Sequence, residues 1–319
     1  MPSPISVLID VDTGNDDAMA LMLALRAPRL EVLGITCVHG NQTLDNVVAN
    51  TLKILDVLGA PDIPVAAGMR QPLVEPVRPP SLIHGHDGMG DLGLPPSERQ
   101  PVPLHAVELM RQLLTNTPEP VTLIALAPLT NIALFLRMYP DLHHKIAGLT
   151  IMGGAYIDAG NASPTGEFNI RVDPEAAAIV LHSGLPINLY PLNVFRQIRF
   201  YRPEIEQFKA SRDPAARVAG GILAYSCDYF QADYSLIGDA GAVATVIDPD
   251  GATVEKAPIS VELTGTATRG QTVMDRRSPD QRARSTAWWQ PSEPEINVFT
   301  QVDVDRYRAL FTEAVNQIA

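Results

Sequence analysis

Four carboxylates lie within eight residues of the sequence, directly after its first apolar run. The apolar run over residues 5–9 predicts a buried strand, and the apolar segment after the carboxylates predicts a helix. Because residues i and i+2 of a strand share one face, Asp10 and Asp12 should point the same way. Asp16 and Asp17 should fall in the first helical turn, where the helix dipole stabilises negative charge.

Carboxylates crowded in this way repel each other, and a divalent cation is the simplest way to hold them together. The cluster contains no Cys or His, so its ligands are oxygens, which favours a hard ion such as Ca²⁺ or Mg²⁺ over zinc. Gly14 can adopt the backbone angles that a sharp strand-to-helix turn needs. A structural interpretation is helix capping, since Asp is a common N-cap. Four carboxylates at the end of a strand, where open α/β sheets bind ligands, favour a functional site.

The composition is typical of a globular enzyme, with 46% hydrophobic and 19% charged residues. The net charge of −12 and the lack of any Lys/Arg run argue against a nucleic-acid partner. Cys37 and Cys227 lie far apart and are expected to be reduced core residues. We expect no membrane partner, since no apolar stretch reaches the length of a membrane span. Without a basic, signal-like N-terminal segment, the expected location is cytoplasmic.

The chain alternates strand-like and helix-like segments over most of its length, which predicts an α/β fold with an open, Rossmann-like, mostly parallel sheet flanked by helices. The predicted strands are 5–9, 32–38, 64–67, 121–127, 149–152 and 187–191, and the helices between them are 17–26, 44–58, 104–114, 131–138 and 174–182. Extra C-terminal helices are expected at 203–210, 215–229, 240–247 and 303–317, with a small β-hairpin at 258–263 and 271–274 and a strand at 296–301. We expect a single domain over 1–319.

Polar residues follow several of the predicted strands, and in a parallel sheet these strand ends meet at one edge. They include His39-Gly40-Asn41, the segment 126–131 and Glu167-Phe168-Asn169. Such side chains suit the recognition of hydroxyl groups and the binding of metals. No Gly-x-Gly-x-x-Gly, Gly-Lys-Ser/Thr or Gly-x-Ser-x-Gly motif is present at this edge. The Pro-rich connection 71–103 is long enough to form a lid, which is a hypothesis from its length.

The segment from Asp10 to Asp17 resembles the N-terminal signature of the calcium-dependent nucleoside hydrolases of inosine–uridine type. Further similar blocks follow in the same order, over about residues 5 to 250. They are Gly40-Asn41-Gln42-Thr43, His84-Gly85, Pro128-Leu129-Thr130-Asn131-Ile132-Ala133, Met152-Gly153-Gly154, Glu167-Phe168-Asn169, Asp173-Pro174-Glu175-Ala176 and Asp239, and more loosely Gly270-Gln271-Thr272. The resemblance implies hydrolysis of small-molecule ribonucleosides to ribose and free base, with Ca²⁺ as cofactor, by a homodimer or homotetramer.

The resemblance also implies roles for individual residues. Asp12 would bind calcium and act as general base on the metal-bound water, and Asp10 would support the metal ligands. The other implied calcium ligands are Asp17, the backbone carbonyl of Leu126, and Asp239. The implied substrate-binding residues are Asp16 for the ribose 2′-hydroxyl, Asn41, Asn161, Glu167 and Asn169 for the remaining hydroxyls, Met152 beneath the sugar, and His84 and Phe168.

These implied roles agree with the chemistry of N-glycoside cleavage, which passes through a sugar cation. Carboxylates and amide carbonyls stabilise such developing positive charge. A bound cation orients the diol and makes water easier to deprotonate, and a neighbouring carboxylate can then accept the proton.

The sequence departs from the family pattern at one position. Many members have a His directly before the late calcium-binding Asp, and that His is thought to protonate the departing base; here the position is Gly238. The candidates for activating the leaving group are His84, His86, Tyr225, Tyr229 and Tyr234. Stacking of the base on Trp288-Trp289 is a further candidate, and the structural interpretation of this Trp pair is packing of the C-terminal segment. The remaining histidines, His39 among them, are interpreted as ordinary surface or helix-face residues.

Two other functions fit parts of the sequence. Asp10-Val11-Asp12-Thr13 also resembles the Asp-x-Asp-x-Thr start of haloacid-dehalogenase-type phosphatases, but no suitably placed Lys is found and the Asp16-Asp17 pair does not fit. A non-catalytic nucleoside or ribose binder on the same fold stays open because of Gly238. An EF-hand is excluded, because Asn15 and Leu21 stand where its loop needs Gly and Glu.

Overall fold

The computed structural model describes residues 3–284 and 294–318. Its centre is a nine-stranded sheet with the order β10-β9-β11-β6-β5-β4-β1-β2-β3. The strands of this sheet are β1 (Ile5–Val11), β2 (Leu30–Cys37), β3 (Val65–Ala67), β4 (Val121–Ala125), β5 (Ile146–Met152), β6 (Ile187–Tyr190), β9 (Ala252–Val261), β10 (Thr272–Met274) and β11 (Glu295–Val302). A separate antiparallel pair joins β7 (Arg199–Tyr201) to β8 (Tyr234–Leu236).

The sheet is mostly parallel, as the alternating pattern predicts. Strands β1 to β6 and β11 run in parallel, whereas β9 is antiparallel to β11 and β10 is antiparallel to β9. The expected β-hairpin is therefore present, but as the edge of the main sheet. Its first strand begins at Ala252, earlier than the predicted start at residue 258. The sequence pattern misses this part of the strand because residues 253–256 are exposed and lack the apolar pattern of a buried strand.

Helices cover both faces of the sheet, and an apolar core lies on each side. One core contains α1 (Asn15–Arg26), α2 (Leu44–Val57), α9 (Pro214–Tyr229), α10 (Asp239–Ile247) and α12 (Val304–Val315). The other contains α3 (Ala106–Asn116), α4 (Thr130–Met138) and α6 (Pro174–Leu181). The two cysteines are buried free thiols, as expected. Among the described residues, no helix combines the length and apolarity needed to cross a bilayer.

Several short elements were not predicted from the sequence. They are α5 (Phe168–Val172), α7 (Leu192–Phe195), α11 (Pro279–Ala283), and the strands β7 and β8, whereas the helix expected at 203–210 is present as α8 (Arg202–Lys209). Segments of three to five residues are too short for a hydrophobic period to be recognised, and tertiary contacts fix them instead. Three of these elements, α5, α7 and β8, contribute to the cavity described below.

Asp213, the N-cap of α9, ties three elements together. It is fully buried, forms a two-pronged ion pair with Arg26 at the end of α1, and accepts hydrogen bonds from the backbone N–H groups of Gln317 and Ile318. Burial alone would raise the pKa of Asp213, but the hydrogen bond from Arg26 and those from backbone N–H groups lower it below its usual value. The carboxylate is therefore charged at neutral pH and stabilises the fold.

We expect Asp213→Ala to lower the free energy of unfolding by about 3 kcal/mol, because the largely buried Arg26 loses its partner. Urea denaturation near pH 7 measures this difference. Since the folded pKa lies below the unfolded one, the difference should persist above about pH 4 and shrink as the pH falls further. The matched control is Asp45→Ala in the exposed Asp45–Arg70 pair, which should change stability by less than about 1 kcal/mol. Equal effects of the two variants would contradict the prediction.

Candidate active site

The turn between β1 and α1 is held by the carboxylate of Asp17. Its Oδ1 accepts a hydrogen bond from the backbone N–H of Asp12 at 3.1 Å, and its Oδ2 accepts one from that of Gly14 at 3.0 Å. The side-chain Nδ2 of Asn41 also donates to this Oδ2, at 3.2 Å. Burial, followed by repulsion from Asp16, raises the pKa of Asp17 to about 7. The turn thus fixes a buried carboxylate at the N-terminus of α1.

Asp12 is fully buried, and only one of its oxygens is hydrogen-bonded within the described chain. Oδ2 accepts the backbone N–H of Asn41 at 2.6 Å, whereas Oδ1 has no partner. The chain passes so close that a Cβ at Gly40 would lie 1.9 Å from Oδ2, which explains the glycine. Burial and then the charge of Asp17 raise the pKa of Asp12 well above its usual value. Asp12 therefore presents one free oxygen acceptor at a fully buried position.

Asp10 contacts the neighbouring strands of the sheet. Its Oδ1 accepts hydrogen bonds from Thr36 Oγ1 at 2.5 Å and from Asn131 Nδ2 at 2.8 Å. Burial raises the pKa of Asp10 to about 7. The same Asn131 side chain bonds Cys37 and Met69 of the β2 and β3 ends. These contacts suit the supporting role expected for Asp10, which stays a prediction.

Three carboxylates from two helices meet beside Asp12. One oxygen each of Asp16, Asp17 and Asp239 lie within 4.8 Å of one another. Asp239 is buried at the start of α10, and burial followed by the charges of Asp16 and Asp17 raises its pKa well above the usual value. An Asp16 oxygen is also buried and lacks a partner among the described residues. The resemblance implies that Asp16 contacts the ribose 2′-hydroxyl, and the structure places Asp16 both in this carboxylate group and in the wall of the cavity described below.

This group has the composition of a hard-cation site. Every donor is an oxygen, and buried oxygens of Asp12 and Asp16 are left without hydrogen-bond donors in the described chain. Buried polar atoms without partners are costly, and a divalent cation would satisfy them. The Leu126 carbonyl, the expected backbone ligand, follows β4 and accepts a hydrogen bond from Asn169 Nδ2 at 2.9 Å. The residues present therefore fit a calcium-like ion.

The residues expected to bind the sugar converge around α5. Glu167 caps this helix: it accepts backbone N–H bonds from Gly154 at 2.9 Å, Asn169 at 2.8 Å and Ile170 at 3.1 Å. Its burial raises its pKa. Asn169 Nδ2 reaches the Met152 carbonyl at 3.2 Å as well as that of Leu126. Backbone contacts thus fix both side chains in position before any ligand arrives.

A cavity of about 770 Å³ opens above these groups, a volume that suits a small organic ligand. The expected site residues that line it are Asp16, Asn41, His84, Leu126, Met152, Asn161, Glu167, Phe168, Asn169, Tyr234 and Asp239. Asn161 is also fixed, since its Oδ1 accepts the backbone N–H of Phe168 at 2.8 Å. Pro72, Pro76, Arg78 and Pro79 of the connection 71–103 form part of the wall.

Of the candidates for activating the leaving group, the structure places His84 and Tyr234 at the cavity and the others elsewhere. His86 is exposed and pairs with Asp91 at 3.1 Å. The Tyr225 hydroxyl donates to the Leu82 carbonyl at 2.7 Å, and the exposed Tyr229 stacks on the Tyr225 ring. None of these three residues lines the cavity within the described chain. The Trp288-Trp289 pair lies outside the described residues.

His84 is held by a specific contact with α1. Its Nδ1 accepts a hydrogen bond from the backbone N–H of Asn15 at 3.0 Å, so the neutral ring carries its proton on Nε2. Burial lowers the pKa of His84, and the charge of Asp16 partly offsets that effect. His84 is thus a neutral imidazole whose Nε2 is a hydrogen-bond donor.

The structure explains the glycine that stands where many family members have His. Gly238 has a φ of +52°, and a Cβ there would lie 2.7 Å from Asp16 Cβ and 2.9 Å from the Phe195 ring. A side chain at this position would therefore strain the backbone and displace the carboxylate group. Any acid for the departing base must come from another residue.

The interpretation of His39 as an ordinary surface or helix-face residue was wrong. His39 follows β2, lines the cavity and is only 5% exposed, and its Nε2 has no partner among the described residues. Burial lowers its pKa to about 4, so it is neutral near pH 7. Its position after a parallel strand was the available signal. Phe195 and Phe230, also cavity residues that we did not predict, carry no recognisable sequence signal.

Comparison with known proteins agrees with this arrangement. A family model described as inosine-uridine preferring nucleoside hydrolase matches residues 7–309. The chain belongs to this family. It is therefore a ribonucleoside hydrolase, which cleaves ribonucleosides to ribose and free base, and the phosphatase alternative is set aside.

Relatives and solved structures of the family cover nearly the whole chain. The pyrimidine-specific ribonucleoside hydrolase RihA of Citrobacter koseri is 40% identical over 274 residues, which are 84% of this chain and 88% of that protein. The plant nucleoside hydrolase PpNRh1 superposes with a TM-score of 0.91 at 28% identity, covering 99% of this chain and 100% of its own. The purine-preferring ribonucleoside hydrolase of Gardnerella vaginalis gives 0.86 at 28% identity, with 98% of both chains covered.

Proposed function

We propose that this nucleoside hydrolase uses Ca²⁺ as its cofactor and Asp12 as the general base that deprotonates the attacking water. The observation that carries this proposal is the free, fully buried Oδ1 of Asp12 beside three converging carboxylates. Calcium would be held by Asp12, Asp17, Asp239 and the Leu126 carbonyl, with Asp16 adjacent. When bound, it would supply Lewis-acid chemistry that orients the ribose diol and makes water more acidic.

The remaining steps use this chain's own groups. Asp12 accepts a proton from water through Oδ1, while the hydrogen bond from Asn41 N–H keeps the carboxylate oriented. Carboxylates of Asp16, Glu167 and Asp239 line the cavity and stabilise the positive charge that develops on the sugar ring. Because Glu167 is fixed by three backbone N–H groups, it needs little reorganisation during the reaction.

Ribose recognition is the part of this function that substrate analogues test most simply. Asp16 and Asn41 are proposed to hydrogen-bond the sugar hydroxyls, and removal of one hydroxyl leaves a buried group unpaired. We expect kcat/KM for 2′-deoxyuridine to be at least about 10²-fold lower than for uridine. Ribose and deoxyribose release in parallel assays measure the ratio. Equal rates for the two nucleosides would contradict the proposal.

We propose that His84 activates the leaving group by donating a hydrogen bond from Nε2 to the base. The support is its position in the cavity wall and the Asn15 N–H bond that fixes its tautomer. The relatives are named for different base preferences: one is called pyrimidine-specific and another purine-preferring. We therefore leave the base class to a panel of nucleosides and propose only that His84 contacts it.

His84→Ala is expected to lower kcat/KM for natural nucleosides by about 10²-fold, which is typical for loss of general-acid assistance. A riboside with a 4-nitrophenolate leaving group needs no such assistance, so its hydrolysis should change by less than about threefold. His86→Ala is the matched control, because His86 is exposed and does not line the cavity. An equal loss with both classes of substrate would show that His84 has another role.

Three expectations that rest on the resemblance or on composition remain proposals. They are a homodimer or homotetramer, a cytoplasmic location in base salvage, and a single domain over 1–319. Analytical ultracentrifugation of the purified protein would test the first, and a monomer at micromolar concentration would contradict it.

A further inference from the structure

One wall of the cavity is built by a segment with few hydrogen bonds of its own. Pro72, Pro76, Arg78 and Pro79 line the cavity from the connection between β3 and α3. Proline has no backbone N–H, so a segment rich in proline cannot be held by a ladder of backbone bonds. Within residues 71–79 no helix or strand is present. Side-chain contacts must therefore hold this wall against the rest of the site.

Glu75, in the middle of the wall, is the group that provides these contacts. Its side chain is only 12% exposed. Arg269 Nε donates to Oε1, Arg171 Nη1 lies 3.4 Å from Oε2, and the side chain of Arg78 lies 3.9 Å from the same oxygen. Hydrogen bonds from Arg269, followed by the charges of Arg171 and Arg269, lower the pKa of Glu75. The carboxylate is thus charged and surrounded by arginines.

Of the two main partners of Glu75, one belongs to a segment that lines the cavity, and the other lies in a turn that packs against this segment. Arg171 lies on α5, one turn after Glu167, and lines the cavity itself. Arg269 also donates to Glu175 Oε1 at 2.6 Å. The next residue, Gly270, has a φ of +80° and packs so tightly that a Cβ would lie 2.8 Å from Arg171 Cα. The turn before β10 and helix α5 therefore form one rigid support.

A second contact fixes the start of the wall to the same support. The backbone N–H of Leu73 donates to Asp173 Oδ2 at 2.9 Å, and Thr130 Oγ1 donates to this oxygen at 2.6 Å. Asp173 caps α6, directly after α5. The wall is thus attached at Glu75 to α5, which carries Phe168 and Asn169, and at Leu73 to the start of α6 directly after it.

We propose that Glu75 is a positioning residue: by joining Arg171 and Arg269 it holds the wall 72–79 over the ribose site and so sets the affinity for substrate. The inference rests on the function proposed above. Glu75 does not line the cavity in the described structure, so it acts through the wall and Arg171. Its loss should weaken substrate binding and leave the chemical step almost unchanged.

The test compares Glu75→Gln with Asp56→Asn in the full-length protein. Asp56 of α2 accepts a hydrogen bond at 2.7 Å from Arg99, which lies in the same connection 71–103 as Glu75. Neither Asp56 nor Arg99 lines the cavity, so this pair is the matched control. For Glu75→Gln we expect KM to rise about tenfold, as for the loss of a charge-assisted hydrogen bond, with kcat within about threefold of wild type. Asp56→Asn should change KM by less than about twofold.

A second variant, Arg269→Gln, separates positioning from a general loss of structure. Because Glu75 and Arg269 are in direct contact, the double variant should raise KM by clearly less than the product of the two single-variant effects. Wild-type KM in Glu75→Gln, a fall in kcat without a change in KM, or additive effects of the two substitutions would each overturn the inference. If wild-type protein releases no ribose, the proposed function fails first, whereas an active wild type with an unaltered Glu75→Gln variant refutes the positioning role alone.

Discussion

Asp12→Asn is expected to lower kcat for ribonucleoside hydrolysis by about 10³-fold, the range found for loss of a general base. The amide has nearly the same shape as the carboxylate but cannot accept the proton of the attacking water. The side chain is fully buried, with Oδ1 free and Oδ2 fixed by the Asn41 N–H. Bulk water therefore has little access to replace it as base. Single-turnover release of ribose under saturating substrate measures the chemical step directly.

The same variant should keep its fold and its affinity for ribose within about tenfold, because Asn still donates and accepts hydrogen bonds. Circular dichroism and a competition assay with free ribose check these two properties. The matched control is Asp45→Asn, since Asp45 is exposed and pairs only with Arg70 at 2.8 Å within the described structure. A wild-type rate in Asp12→Asn would remove Asp12 from the mechanism.

Removal of calcium is the second change with a large expected effect. Four buried or partly buried carboxylates repel each other in this site, and burial together with this repulsion raises the pKa values of Asp12, Asp17 and Asp239. At a calcium concentration 100 times the Kd, binding should stabilise the fold by about 2.7 kcal/mol. Thermal unfolding in a chelator and then with calcium restored measures the difference. Ribose release should fall by at least about 10²-fold in the chelator and return with calcium.

Asp239→Asn should abolish the calcium-dependent rise in Tm, because it removes one carboxylate of the group that converges within 4.8 Å. Asp250→Asn, at an exposed position beyond the end of α10, should leave that rise unchanged. The same Tm in calcium and in chelator for wild-type protein would contradict the assignment of a metal site. A Tm rise in Asp239→Asn equal to that of wild type would exclude Asp239 as a ligand.

The sheet and the carboxylate cluster could be predicted from the sequence because both depend on local patterns. Strands β1, β2, β4, β5 and β6 are apolar runs between helical segments, and this order implies a parallel sheet. The convergence of residues such as Asn41 and Asn169 then follows from the shared direction of the strands. Their membership of one cavity is consistent with that reasoning.

Other features depend on distant contacts and could not be predicted. His39 was dismissed because its position after a strand places it at the sheet edge but does not show that its ring is buried against the cavity. The approach of Asp239 to Asp16 and Asp17 depends on the packing of α10 against α1, and only the family resemblance indicates it, because more than 200 residues separate these carboxylates in sequence. Glu75 is similarly joined to Arg269 by tertiary packing alone, at a sequence separation of 194.

The most direct test of the central claim is to measure both products from uridine, cytidine, inosine, adenosine and guanosine in calcium. The proposed function predicts equal amounts of ribose and free base from at least one of these nucleosides, with loss of both products in a chelator. Binding of a nucleoside by calorimetry without release of base from any of the five would contradict it. That result would identify the protein as a non-catalytic nucleoside binder on the hydrolase fold.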